Sequence, residues 1–249
     1  MYDLAQFGLK EMTRCGAALR KLGAGESNLE DVADRIVRYL HDHLGDTAGK
    51  PACALVRFFK TLPFAGLSPD LQQYARNKVQ GRPIDPQTKC FTLIASAGER
   101  PEWNGAGTSK SFRTIPLGGT NFTAQFPMFS QLLAQFGVSL PAAVGDELLV
   151  DHEQHSFNVF YVAEAKGSPY VPRQEEFVLP YGIRSVFGFG GRLPSADIFA
   201  VILFTQVPLT RDIAEFFKTL ALAVKIAILP FDREPDLTAA RPAPKRRQT

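Results

Sequence analysis

Two apolar runs late in the chain, joined by a short polar connection, constrain the fold more than any other feature. The runs cover residues 183–191 and 197–206, are rich in β-branched and aromatic residues, and are joined by "RLPSAD". Such runs predict β-strands, and the short connection predicts that they pair as an antiparallel hairpin. The core of this chain must therefore be built at least partly around a sheet.

Three glycines, Gly188, Gly190 and Gly191, lie at the end of the first run. A dinucleotide-binding loop needs its glycines between a strand and a helix, so that the helix N-terminus faces the pyrophosphate. Here a second strand follows, the third glycine of that fingerprint is missing, and so is the Lys-Ser/Thr pair of a phosphate-binding loop. The glycines therefore indicate a strand that another element approaches closely.

Helices are predicted towards both ends of the chain. The range 3–22 has apolar residues at alternating spacings of three and four, and the range 27–45 begins with a capping box of Ser27 and Glu30. A longer helix spans 210–229 and is apolar on more than one side. We expect this last helix to contact the sheet and a second surface, for which a partner subunit is the candidate.

Shorter elements fill the middle of the chain. They are strands at 52–59, 89–98 and 157–162, helices at 68–77 and 126–137, a helical turn within 168–178 and an exposed loop at 99–112. Helices at both ends with strands between them indicate the α+β class. A last segment, 232–249, is rich in proline and charge and is predicted to be a disordered basic tail, so that the domain covers 1–231.

Charge and cysteine content exclude several functional classes. The chain has 28 basic and 25 acidic residues, and part of the excess lies in the terminal run "RPAPKRRQT", so a nucleic-acid partner is not expected. Three widely spaced cysteines without a Cys-x-x-Cys pair argue against a disulfide framework or a thiolate zinc site. With no signal peptide and no membrane span in the pattern, a cytoplasmic protein is predicted.

Few residues are candidates for chemistry. The run "DHEQH" places His152 and His155 three apart, one residue short of the metalloprotease spacing, so they are weak metal candidates and solvated polar residues are the favoured interpretation. Cys53 and Cys90 fall in apolar strands, where a thiol is an inert small hydrophobe. We predict no catalytic residue and no metal, and assign no cofactor.

The alternation of side chains in the strand at 183–191 suggests a binding surface. One face carries Ser185, Phe187 and Phe189, and the other carries Gly188 and Gly190. Because the glycine face gives room for the terminal helices, the aromatic face is predicted to line a ligand pocket. The predicted ligand-binding residues are Tyr181, Ser185, Phe187 and Phe189.

Three segments resemble GAF-like sensor domains, the small-molecule sensory modules of bacterial signalling proteins. They are "ACALVRFFKTLPFAGL", "FNVFYVAEAKGSPYVPRQEEFVLPYGIRSVFGFGG" and "PSADIFAVILF", and with the helix that follows the resemblance covers residues 1 to about 231. It implies a GAF/PAS-like central antiparallel sheet with the N- and C-terminal helices on one face and a pocket or cap on the other. It also implies a homodimer through those helices, and the insert at 61–154 is longer than a minimal domain needs.

The sequence therefore predicts a non-catalytic sensory domain of bacterial signal transduction. A small ligand would bind under the middle insert, and the response would pass through the helical dimer interface to a signalling partner protein. Two alternatives stay open. One is a structural dimerisation module with a filled interior, and the other is a cysteine-dependent small-molecule reductase of GAF fold, for which Cys90 is the residue to test.

Overall fold

The computed structural model describes residues 1–109, 111–117, 126–135, 138–139, 149–150 and 157–232. The helices are α1 (Leu9–Leu19), α2 (Leu29–His43), α3 (Pro69–Lys78), α4 (Pro127–Gln135) and α5 (Arg211–Ile228). The strands are β1 (Tyr2–Asp3), β2 (Leu44–Gly45), β3 (Cys53–Pro63), β4 (Lys89–Gly98), β5 (Thr114–Pro116), β6 (Val138–Ser139), β7 (Leu149–Val150), β8 (Phe157–Val162), β9 (Ser185–Arg192) and β10 (Ile198–Thr205). None of the helices in these ranges combines the length and the apolar character needed to cross a bilayer.

A six-stranded antiparallel sheet forms the centre of the fold, with strand order β5-β4-β3-β10-β9-β8. The predicted hairpin is confirmed, since β9 and β10 pair antiparallel with Phe189 opposite Val201. On its other side β10 pairs with β3. The α+β class and the central antiparallel sheet are therefore confirmed, and the predicted insert contributes β4 and β5 to one edge of this sheet.

The three long helices cover one face of the sheet. Buried residues of α1, α2 and α5 form one continuous core with the sheet. Within this core Phe217 of α5 contacts three other aromatic rings. The ring of Phe217 is 4.8 Å from that of Phe7, 4.6 Å from Phe187 and 5.5 Å from Phe189, measured between centroids. The prediction that the terminal helices share one face is confirmed.

The faces of β9 are the reverse of those predicted. Phe187 and Phe189 point to the helices, whereas a Cβ added to Gly188 would lie 3.2 Å from Cδ1 of Leu132 in α4, on the opposite side. Alternation fixes which residues share a face but not which face is which. The large rings fill the space under the helices, and the glycine makes room for α4.

The first two helices begin at different residues from those predicted, because the backbone groups before them form other hydrogen bonds. The second helix begins one residue later than predicted, since Asn28 Oδ1 accepts a hydrogen bond from Asp31 N at 2.8 Å. The first helix is shorter than predicted because Tyr2–Asp3 forms a strand paired with Leu44–Gly45. The apolar seam of α1 packs on α5 of the same chain, where a Cβ on Gly16 would lie 3.4 Å from Leu220 Cδ2.

β3 continues to Pro63, beyond its predicted end at residue 59, and carries a buried ionic network at Lys60. Lys60 is 2% exposed, lies 3.4 Å from Asp197 Oδ2 through its Nζ, and donates to the Asp232 carbonyl at 3.0 Å. The Asp232 carboxylate in turn accepts from Ser195 N at 2.8 Å. These partners make polar residues tolerable inside the strand. Asp232, the first residue of the predicted tail, is therefore held in place, and 233–249 lie outside the described residues.

Gly23 provides a test of the contact between the α1–α2 connection and α5. A Cβ at this position would overlap the carbonyl oxygen of Ala227, whereas one at Gly107 would meet nothing within 4 Å. We expect Gly23→Ala to lower the free energy of unfolding by about 1–3 kcal/mol, the usual cost of overpacking. Urea denaturation measures this, with Gly107→Ala as the matched control; equal stability of the two variants would contradict the contact.

Candidate functional site

A cavity of about 140 Å³ lies on the face of the sheet that the three long helices leave uncovered. Its floor consists of Leu55, Arg57 and Phe59 from β3 together with Ile202 and Phe204 from β10. These are alternate residues of two paired strands, so their side chains share one face of the sheet. The floor is apolar except for one guanidinium.

Aromatic rings form most of the walls. Trp103 packs edge-on against Tyr181 and Phe177, at centroid distances of 4.5 Å and 5.3 Å, and Phe177 in turn lies 5.1 Å from Phe204 on the floor. Phe129 of α4 closes another side. Offset and edge-to-face contacts of this kind are the favourable geometry for aromatic pairs. The walls are thus rigid and present flat apolar surfaces to the interior.

Trp103 is held in place by the loop that follows β4. Asn104 Nδ2 donates to the carbonyls of Gly98 and Arg100, at 2.9 Å and 2.8 Å. A Cβ on Gly98 would lie 3.0 Å from Cε3 of Trp103 and 2.9 Å from the Ala54 carbonyl oxygen. Gly98 therefore gives the indole the space it occupies, and the asparagine fixes the turn that delivers it.

The outer wall is a segment anchored by a single side chain. Gln174 Nε2 donates to the carbonyls of Ala165 and Val171, at 2.9 Å and 2.8 Å, and its Oε1 accepts from Gly167 N at 2.9 Å. Gln174 also begins a π-helical turn that runs to Val178. Single π-helical turns are rare and occur frequently at functional sites. This turn carries Phe177 to the cavity.

Two residues at the cavity have left-handed backbone conformations that non-glycine residues seldom adopt. Phe112 has φ 55° and Arg173 has φ 60°, and both line the cavity. Each such residue costs on the order of 1–3 kcal/mol and persists only where its surroundings impose it. Phe112 N donates to the hydroxyl of Tyr74 at 3.0 Å, which holds that residue in place. Strain of this kind concentrates at binding and catalytic sites.

Arg57 is the polar centre of the cavity. Its side chain is buried, with the residue only 9% exposed; Nη2 donates to Ser109 Oγ at 3.2 Å, and Nε has no hydrogen-bond partner among the described residues. Burial, and secondarily the nearby positive charge of Arg173, lower the pKa of Arg57 to about 10. The guanidinium therefore remains protonated at neutral pH despite its burial.

The other charged groups at the cavity neutralise each other. Arg173 Nη1 lies 3.1 Å from Glu176 Oε2, and the two side chains are 49% and 70% exposed. No carboxylate of the described residues pairs with Arg57 in this way. The described lining residues thus carry one uncompensated positive charge, located at the floor.

Only one of the four predicted ligand-binding residues lies at this cavity. Tyr181 lines it, but Phe187 and Phe189 face the helices, and Ser185 Oγ donates to the Ala163 carbonyl at 2.7 Å on that same side. The prediction placed the other three at the pocket because the faces of β9 were assigned in reverse. The weak metal candidates His152 and His155 lie outside the described residues, and no cluster of three potential metal ligands occurs in the part of the chain that is described.

Sequence reasoning missed the two most distinctive residues of the site. Arg57 is the lone charge in the run "ALVRFF", and Trp103 is the single tryptophan of the chain, in a polar loop. A charge inside an apolar strand signals either a pairing partner or a polar cavity, and that signal was present. Whether such a charge is paired or faces a cavity depends on loops that are far apart in the sequence and come together only in the folded chain.

The three cysteines lie away from the cavity. Cys15, Cys53 and Cys90 are buried in the core on the helix side of the sheet. Burial raises the pKa of Cys15 and Cys90 to about 12 and also raises that of Cys53. A thiol must ionise to act as a nucleophile, so these positions are unsuited to cysteine chemistry on a ligand in the cavity.

Similarity to known proteins is found at the level of structure and not of sequence. The sequence matches no protein-family model and no curated protein. The structure is similar to the GAF domain of a phosphoenolpyruvate-protein phosphotransferase from Acinetobacter, with 13% identity, a TM-score of 0.44, and coverage of 89% of this chain and 94% of that chain. It is also similar to a free methionine-R-sulfoxide reductase from Neisseria meningitidis solved with its substrate, with 9% identity, a TM-score of 0.49, and coverage of 94% and 96%.

A phycoerythrobilin-bound GAF domain from a cyanobacterial phytochrome is likewise similar, with 11% identity, a TM-score of 0.41, and coverage of 90% of this chain and 98% of that chain. At these identities and scores the likeness carries no argument about ligand or activity. The GAF-like arrangement expected from the sequence is present in the sheet and helices themselves, with the terminal helices on one face and the cavity on the other.

Thiol reactivity tests the placement of the cysteines. We expect all three thiols of the native protein to react with iodoacetamide at least about 100-fold more slowly than in the urea-unfolded chain, since raised pKa values remove the thiolate and burial blocks access. Mass spectrometry counts the modified residues over time. Rapid modification of any one thiol in the folded protein would contradict this placement and revive the reductase alternative.

Proposed function

We propose that this chain is a non-catalytic regulatory domain that binds a small molecule in the cavity between the sheet and the middle insert. The observation that carries the proposal is the cavity itself, with its aromatic walls and its buried Arg57, which pairs with no carboxylate of the described residues. A cavity of roughly 150 Å³ lined by aliphatic and aromatic groups holds benzene in another protein. The present cavity, at about 140 Å³, has a volume of the same order, which fits a ligand built on one six-membered ring.

Backbone strain at the cavity supports a functional reason for it. Phe112 and Arg173 line the cavity and have left-handed backbone conformations, which cost on the order of 1–3 kcal/mol each. Proteins commonly sacrifice stability in this way at sites that bind.

The strands that form the floor also contact the helices, which gives a route for a response. On β3 the side chains of Arg57 and Phe59 face the cavity, while Phe58 between them faces the helix side and stacks on Phe199 at 6.1 Å. The neighbouring hairpin strand contacts α5 through Phe187. Because packed cores do not deform freely, a shift of these strands must be accommodated by the helices. A ligand that favours one strand position therefore biases the helix arrangement.

A homodimer through the helix face is part of this proposal. Leu222, Ile226 and Leu229 lie along the outer side of the last helix and are 45%, 43% and 44% exposed. Their spacing of four and three residues places them on one stripe. Since the seam of α1 is already used against α5 within the chain, the stripe on α5 is the surface that we propose for a second copy. The predicted cytoplasmic location and a downstream signalling partner belong to the same proposal.

The two alternatives are less well supported. A structural module with a filled interior does not need a cavity with strained walls and a buried cation. A cysteine-dependent reductase needs a thiol at the ligand, and none of the three cysteines lines the cavity. The sensory interpretation uses all of these features, so we retain it.

Trp103 makes ligand binding directly measurable, because it is the single tryptophan of the chain and lines the cavity. We expect single-ring compounds, both charged and neutral, to change its fluorescence saturably. Ile202→Phe fills the floor and should abolish this response, whereas the same enlargement at an exposed position of α1 outside the cavity and the proposed dimer stripe, Leu9→Phe, should leave it intact. Native mass spectrometry of freshly purified protein reports any molecule that is retained.

The binding proposal fails if no compound of such a panel alters Trp103 and the purified protein carries no small molecule. Urea denaturation establishes that Ile202→Phe is folded. If it is not, Ser111→Leu, which narrows the cavity from a position that is not fully buried, replaces it.

Analytical ultracentrifugation tests the dimer. We expect the full chain to sediment as a dimer at micromolar concentration and Ile226→Glu to sediment as a monomer, because it places a charge in the centre of the apolar stripe. Arg82→Glu, on an exposed loop, is the control and should remain dimeric. A monomeric wild-type chain would contradict the dimer without affecting the ligand site.

A further inference from the structure

We infer that the molecule bound in this cavity is a small aromatic monocarboxylate, with its carboxylate against Arg57 and its ring among the aromatic walls. The inference rests on the proposed function, since it names the class of ligand for the same cavity. It follows from three observations: the charge of the floor, the hydrogen-bonding capacity that the floor leaves unused, and the shape and size of the space above it.

The charge of the floor requires an anion. A buried ion without a partner destabilises the fold, so proteins pair such groups or avoid them. Arg57 is 9% exposed, and the described residues supply no carboxylate to it. The Arg173–Glu176 pair at the mouth is already neutral as a unit. An anionic ligand would supply the missing partner and remove most of that cost.

Hydrogen-bonding groups at the floor suit a carboxylate. Ser109 Oγ accepts one N–H of the Arg57 guanidinium and orients it, while Nε is left without a partner. Ser96 lies directly opposite Arg57 in the β3–β4 pair, and its buried Oγ likewise has no partner among the described residues. A guanidinium binds the two oxygens of a carboxylate in a planar fork. Of these two residues only Arg57 lines the cavity, so its guanidinium is the group that can receive a carboxylate there.

The remaining lining selects a flat apolar body with a single charge. Among the described residues, seven aromatic side chains line the cavity, namely Phe59, Trp103, Phe112, Phe129, Phe177, Tyr181 and Phe204. A volume of about 140 Å³ is of the size that one six-membered ring occupies and is too small for a nucleotide. Because the Arg173–Glu176 pair at the mouth adds no net charge, a single negative charge on the ligand balances the charge of Arg57. A small inorganic anion would leave the aromatic surfaces unoccupied.

Acids and their neutral amides provide the test, because they match in shape and differ in charge. The probes are benzoate, phenylacetate and acetate against benzamide, phenylacetamide and acetamide, titrated while following the fluorescence of Trp103. We expect benzoate or phenylacetate to bind at least about tenfold more tightly than its amide, which corresponds to about 1.4 kcal/mol. Acetate should bind more weakly than either aromatic acid.

Substitution of Arg57 separates binding from a structural role. Arg57→Met should lower the affinity for the acid to that for its amide. The same substitution should raise the urea midpoint of the unliganded protein, because it removes a buried charge that no described carboxylate pairs. Arg57→Lys should keep some preference for the acid with weaker binding. Arg38→Gln is the control. Arg38 is exposed and pairs with Asp34, and both lie on α2, on the side of the sheet opposite the cavity. This substitution should leave both affinities unchanged.

The outcomes distinguish this inference from the proposed function. If the amides bind as tightly as the acids, or if Arg57→Met keeps the acid preference, the carboxylate inference is overturned while the ligand site stands. If Arg57→Met lowers the urea midpoint, Arg57 has a structural role and the inference is overturned as well. If neither acids nor neutral rings affect Trp103, the proposed function fails first. The comparison of acid with amide in the wild-type chain needs no variant, so a variant that does not fold leaves the test in place.

Discussion

The pairing of β3 with β10 at the centre of the sheet is the constraint on which the rest of the structure depends. Each strand alternates its side chains between two faces, so one pair of strands supplies the wall between two separate cores. On one side the alternate residues meet long helices. On the other they form the floor of a cavity. Neither core can change its packing at these strands without involving the other.

The two faces solve different packing problems. On the helix side, Phe217 meets rings from three directions and leaves no room. On the other side, Gly188 brings α4 close to the sheet, while loops fixed by Asn104 and Gln174 stand further away and enclose space. The cavity exists because its walls are positioned by their own hydrogen bonds rather than by collapse onto the floor.

Much of the fold could be predicted from sequence because its signals are local. Strand and helix patterns predicted the hairpin and placed the helices at 68–77 and 210–229 within one residue of α3 (Pro69–Lys78) and α5 (Arg211–Ile228). The faces of β9 could not be assigned, because "VFGFGG" gives alternation without direction. Arg57 was missed since a single charge in a strand has the same appearance whether it is paired or faces a cavity. The walls depend on contacts between residues as distant as Trp103 and Tyr181, which no short pattern records.

The network around Lys60 has a consequence for how motion travels through the molecule. Lys60 follows Phe59 of the cavity floor directly, and its ammonium holds both the hairpin at Asp197 and the main chain at Asp232. Buried charge pairs break only at high cost, so these three points move as a unit. A displacement of Phe59 that shifts Lys60 must therefore also shift the β9–β10 connection at Asp197 and the main chain at Asp232, which follows α5.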